Sequence, residues 1–127
     1  MNVVASAITL SVTDAAASSK FFCTHLGYRE AVTGEDFVCL ERDDAGVEIV
    51  LVQRNPEDPP APAPGPTGLR VSFSVTDIAR IDQRLRDEGA PLTGSLHRAP
   101  DGHWLLELTD PNGVEVHLTQ WAPPSGA

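Results

Sequence analysis

The chain is poor in basic residues, cysteine and aromatics. Nine Lys and Arg stand against 18 Asp and Glu, a formal net charge of −9, and a surface of that sign repels phosphate backbones and anionic lipid heads. Neither nucleic acid nor a membrane is expected as partner. Only one of the nine basic residues, Lys20, is a lysine, a bias with no functional reading. No apolar run reaches the about 18 residues of a membrane-crossing helix. The opening MNVVASAITLSVTD also lacks the basic segment of an export signal, so a cytoplasmic protein is expected. The two cysteines, Cys23 and Cys39, sit among apolar neighbours (FFC, FVCL) and read as free buried thiols rather than a disulfide. At 127 residues a chain buries roughly 65–70% of its unfolded surface, enough for a core without metal or disulfide.

What the chain does have is an internal repeat. Residues 8–14 (ITLSVTD) match 71–77 (VSFSVTD) at four of seven positions, and 46–53 (GVEIVLVQ) match 113–120 (GVEVHLTQ) at five of eight. The offsets, 63 and 67, are nearly equal and the order is the same. One domain over 1–127 is expected, built from module one (1–53), a connector (54–67), module two (68–121) and a tail (122–127). The connector RNPEDPPAPAPGPT holds six prolines, which favour an extended, semi-rigid chain.

Both modules show one order of elements. Ile8, Leu10 and Val12 alternate with Thr9, Ser11 and Thr13, the period of a half-buried strand. Asp14 stands where a helix N-cap belongs and Gly27 where a glycine ends the helix. In module two Val71, Phe73 and Val75 alternate, Asp77 caps, Ile78, Ile81 and Leu85 give helical spacing, and Gly89 closes. Three strand candidates follow each helix: YREAVT, DFVCLER and GVEIVLVQ, then PLTGSLHR, HWLLELT and GVEVHLTQW. The turns DDAG and DPNG precede the last strands. The unit is βαβββ, twice, an α+β fold.

This duplicated unit, with SVTD and DPNGVEVHL, resembles the vicinal oxygen chelate superfamily of glyoxalases, bleomycin-resistance proteins and ring-cleaving dioxygenases over about residues 3–121. The resemblance implies two βαβββ modules forming a curled mixed sheet shaped as a cup, and a homodimer. The helix-facing side of each strand is apolar, so the opposite parity looks into the cup: Ala7, Thr9 and Ser11; Glu48, Val50 and Val52; Arg70, Ser72 and Ser74; Glu115, His117, Thr119 and Trp121. Phe37 and Trp104, related by the offset of 67, are placed at the cup wall.

Metal-dependent members of the superfamily carry ligands at positions that correspond to Ala7, Val50, Arg70 and His117. Only His117 can bind a divalent metal; a methyl, an isopropyl and a permanently charged guanidinium cannot. No metal, no cofactor and no catalytic residue is expected. The resemblance instead implies a non-catalytic protein that confers resistance by sequestering an aromatic or cytotoxic natural product, with Phe37, Glu48, Val50, Arg70, Trp104, His117 and Trp121 as ligand-binding residues. Aromatic and Arg side chains give stacking area and directional donors at low entropy cost. The alternative is a metal-free enzyme using His117 as acid or base with Arg70 on an oxyanion, or a metal-dependent lyase, isomerase or dioxygenase. Arg70 is either a ligand contact or the partner of Glu48 or Glu115. Trp104 is wall or core, and Trp121 is wall, barrel edge or dimer seam. The ligand's charge stays open.

Overall fold

Strand β1 (Ala7–Val12) buries Leu10 and Val12 and leaves the residues between them outward, as its alternation requires. A computed structural model describes residues 1–55, 57 and 70–121. Most of the proline-rich connector and all of the tail 122–127 lie outside the described residues. The chain separates into two compact units, Met1–Gly65 and Pro66–Ala127.

In unit one β1 leads into helix α1 (Ala15–His25), then strands β2 (Arg29–Thr33), β3 (Phe37–Glu41) and β4 (Glu48–Gln53). The sheet order is β1-β4-β3-β2, with β1 parallel to β4 and the other pairs antiparallel. Unit two repeats this with β5 (Arg70–Ser74), α2 (Ile78–Asp87), β6 (His97–Arg98), β7 (Trp104–Thr109) and β8 (Glu115–Gln120), ordered β5-β8-β7-β6. The fold is α+β, two βαβββ units with four-stranded mixed sheets. Strand β6 is shorter than the segment PLTGSLHR predicts: Leu92 makes only an isolated bridge to Leu108, and the strand proper is His97–Arg98. Pro91 lacks an N–H and Gly94 weakens the extended run, so the ladder breaks there.

Each helix covers one face of its sheet. In unit one Phe22 is fully buried among Leu40, Ile49 and Leu51, and packs edge-on against Phe21 and Tyr28 at 5.2 and 5.6 Å between ring centroids. In unit two Ile78 and Leu85 are buried with Val71, Leu106, Leu108, Val116 and Leu118. Removing apolar area of this kind from water at about 25 cal/mol per Å² is the main stabilising term. Cys23 and Cys39 are free thiols, half-buried rather than buried.

The helix starts are held from the far end of the chain segment. Asp14 Oδ1 accepts from Ala17 N at 3.1 Å, the expected cap, and Gln53 Oε1 accepts from Ala15 N at 2.8 Å. In unit two Asp77 adopts a left-handed conformation (φ 54°) and makes no side-chain capping bond. Gln120 supplies the bond, accepting from Ile78 N at 2.8 Å. The glutamine shared by LVQ and LTQ therefore ties each last strand to the first N–H of its helix. Replacing it with alanine leaves that donor without the protein partner it had. Gln120→Ala is expected to lower unfolding free energy by about 1 kcal/mol in urea titration. An unchanged midpoint would show that the bond contributes nothing.

Candidate functional site

The face of each sheet turned away from its helix carries the polar and part-exposed side chains. In unit one, register places Thr9, Val50 and Cys39 in one row and Ser11, Val52 and Phe37 in the next. Phe37 is 38% exposed and its ring lies over Gly34 so closely that a Cβ there would overlap it. Ala7 and Glu48 face each other at the start of β1 and β4. Phe37, Glu48 and Val50 thus share the open face of unit one, largely apolar with an exposed carboxylate at one end.

The open face of unit two is polar. Ser72 stands opposite His117, and His117 opposite Glu107, so β5, β8 and β7 contribute one continuous row. His97 on β6 pairs with Leu105, on the same side as Glu107, and its Nε2 lies 3.9 Å from Glu107 Oε1. Arg70 pairs in register with Glu115, its Nε 3.9 Å from the carboxylate, both side chains about half exposed. At that exposure the pair contributes little stability, typically about 0–1 kcal/mol. Of the two partners considered for Arg70, Glu115 is the one at this distance.

Trp104 does not belong to the wall. It pairs with Gln120, whereas Phe37 pairs with Val52, so the two aromatics point to opposite sides of their sheets. Trp104 shares parity with the buried Leu106 and Leu108, on the helix side. From Leu105 to its partner Thr119 the hairpin spans one residue less than from Phe37 to Val52, and a one-residue change flips every side chain. The residue equivalent to Phe37 is Leu105, and the one equivalent to Cys39 is Glu107. Sequence reading missed Glu107 and His97; the only charged residue within β7 was the available signal.

Trp121, just beyond β8, is 65% exposed and one side of its indole is covered by His103, with centroids 3.4 Å apart and planes tilted 36°. His103 is itself held: its Nδ1 lies 2.7 Å from Asp101 Oδ2 and its backbone N donates to Asp101 Oδ1 at 3.2 Å. The hydrogen bond from His103 holds the Asp101 carboxyl below its ordinary range. Trp121 is therefore a braced, half-open aromatic surface at one end of the unit-two sheet.

Three of the four positions that the resemblance implies as metal ligands do not suit a divalent cation. Ala7 and Val50 offer no donor atom, and Arg70 carries a fixed positive charge. Among the described residues no three or more His, Cys, Asp or Glu stand together in a way that could hold a metal ion. No helix among them is long and apolar enough to cross a membrane.

Two βαβββ units, each with its first strand parallel to its last, define the class of fold: glyoxalase/bleomycin-resistance. The sequence model of the glyoxalase-like domain matches residues 7–119, and the chain belongs to that family. No curated protein matches the chain. Among solved structures it is similar to a glyoxalase/bleomycin resistance protein/dioxygenase from Alicyclobacillus acidocaldarius (TM-score 0.72, 17% identity, 94% of this chain and 92% of that one covered). It is also similar to TioX from Micromonospora sp. ML1 (TM-score 0.70, 19% identity, 94% and 100% covered). A lactoylglutathione lyase from Agrobacterium tumefaciens gives a TM-score of 0.68 at 19% identity, with 94% of each chain covered. At these identities the likeness concerns the fold.

Proposed function

We propose that the protein binds a small aromatic natural product stoichiometrically and without turnover, and so confers resistance by sequestering it. The observation that carries this reading is the content of the superfamily's ligand positions: Ala7, Val50 and Arg70 cannot serve a metal, while His117 and Arg70 remain as directional groups on a hydroxyl-bearing face. On the unit-two face, stacking on the open side of Trp121 supplies affinity, and on the unit-one face Phe37 and Val50 offer apolar area of their own. Arg70 and His117 orient the ligand, and Glu48 lies at the margin of the unit-one face.

Calorimetry and thermal shift against bleomycins, mitomycins, enediynes and anthraquinones test this. One class is expected to bind at one molecule per chain and to be recovered unchanged. Arg70→Ala and His117→Ala are each expected to weaken it about tenfold, the loss of one charged or well-directed hydrogen bond. Phe37→Ala tests whether the unit-one face takes a ligand by itself. Conversion of any compound, abolished by His117→Ala with affinity retained, would instead mark an enzyme using His117 as acid or base.

A further inference from the structure

Glu107 and His97 form a second feature of the unit-two face that the reading above does not use. His97 Nδ1 lies 3.0 Å from the carbonyl oxygen of Ser95. A carbonyl only accepts, so the proton of that hydrogen bond sits on Nδ1. In the neutral ring Nε2 then carries a lone pair, and it faces Glu107 Oε1 at 3.9 Å. Two acceptors stand side by side, too far apart to bond each other and near enough for one group with several N–H donors to reach both.

Glu107 is held in place to do this. Its backbone carbonyl accepts from Thr93 N at 2.9 Å and from Thr93 Oγ1 at 3.2 Å, and its neighbour Leu108 is fully buried and bridged to Leu92. Among the described residues the only group within ion-pair distance of the Glu107 carboxylate is His97. The guanidinium on this face, Arg70, is matched with Glu115. His117 stands directly opposite Glu107 in register.

We infer that Glu107 and His97 are the specificity-determining pair of this face, and that they select ligands bearing an ammonium or primary amine. This deepens the proposed binding function and rests on it. An ammonium offers three N–H donors, enough to serve both acceptors at once, and neutralises the carboxylate. A ligand carboxylate at the same place would meet Glu107 as a like charge. Arg70, half-occupied by Glu115, then serves a different part of the ligand.

The test has one arm without ligand and one with probes. Nitrogen-15 spectra of the neutral His97 ring are expected to show the Nδ1–H tautomer; the Nε2–H tautomer would overturn the acceptor pair. Benzylammonium and phenylacetate, equal in ring size and opposite in charge, are then titrated with the His97 ring and the Glu107 carboxyl carbon as reporters. Benzylammonium is expected to bind at least about tenfold more tightly than phenylacetate and to shift both reporters. Glu107→Gln, which keeps the shape, is expected to abolish the preference by weakening benzylammonium and relieving the repulsion of phenylacetate. Equal binding of the two probes, or a preference that survives in Glu107→Gln, overturns the inference alone if the natural-product panel still binds. Failure of every panel member to bind overturns the parent reading and this one with it.

Discussion

Tyr28 is expected to ionise with a midpoint near 12 in the folded chain and near 10 once the chain is unfolded. It is the only tyrosine, so tyrosinate absorbance reads this side chain alone. Burial pushes the phenol up to about 12, with Asp44 adding to the shift and Arg42 opposing it. The side chain is 5% exposed and its hydroxyl donates to the Val47 carbonyl at 2.6 Å, a bond that the phenolate cannot make. The sign follows from which form folding favours. The neutral phenol is preferred in the folded state, so the full stabilisation is present below pH 10 and is lost as pH rises towards 12. Two units correspond to about 2.7 kcal/mol, a large part of an ordinary domain's stability. Guanidinium titrations between pH 9 and 12 check this, with Tyr28→Phe as control. The control is expected to cost about 1 kcal/mol at neutral pH for the lost hydrogen bond and to flatten the alkaline fall. A folded-state midpoint near 10 would contradict the packing described here.

Gly27→Ala is expected to cost about twice what Gly89→Ala costs, although the two glycines end equivalent helices with the same φ of 71°. An alanine Cβ in the left-handed region carries about 1–2 kcal/mol of backbone strain. At Gly89 a Cβ meets nothing within 4 Å, so strain is the whole effect. At Gly27 it falls 2.6 Å from Arg42 Nη1, and that guanidinium is not free to swing away. Arg42 donates to the Leu26 carbonyl, bonds both oxygens of Asp44 at 2.9 and 2.6 Å, and lies over the Tyr28 ring at 5.6 Å. The same bonds hold the Asp44 carboxyl well below the usual carboxylate range. Displacing Arg42 adds about 1 kcal/mol or more. Melting temperatures are expected to fall by roughly 4 °C for Gly89→Ala and 8 °C for Gly27→Ala, at about 4 °C per kcal/mol. In Arg42→Ala the difference between the two glycine variants should vanish, because the clash and the lost bonds are one effect. Equal losses in the parent chain would show that Arg42 yields freely.

The modules, helix ends and buried faces were legible because each rests on local chemistry repeated twice. Asp14, Gly27 and Gly89 act at the positions their residue types predict. Asp77 does not: its left-handed backbone gives no side-chain capping bond, and Gln120, 42 residues beyond Ile78, takes the role. A contact of that range leaves no trace in a local pattern. Trp104 was misplaced for a related reason. The repeat offset of 67 holds along β4 and β8, but in register β3 and β7 are related by 68. The segment HWLLEL is apolar on both parities, so only pairing could reveal the slip. The same slip hid Glu107, which aligns with Leu40 at 67 and with Cys39 in register.

The sheet order has a kinetic side. In both units the first strand pairs, within its sheet, with the last strand alone, and the first helical N–H is bonded by the glutamine that ends that last strand. As the chain leaves the ribosome, β1 and α1 have neither their sheet partner nor their full cap until residues 48–53 have emerged, and β5 and α2 wait likewise for residues 115–120. The loop must close before the contacts reward it. Each unit is therefore built to fold only as a completed whole, and a chain cut short before Gln53 or Gln120 should be a substrate for proteases rather than a partial fold.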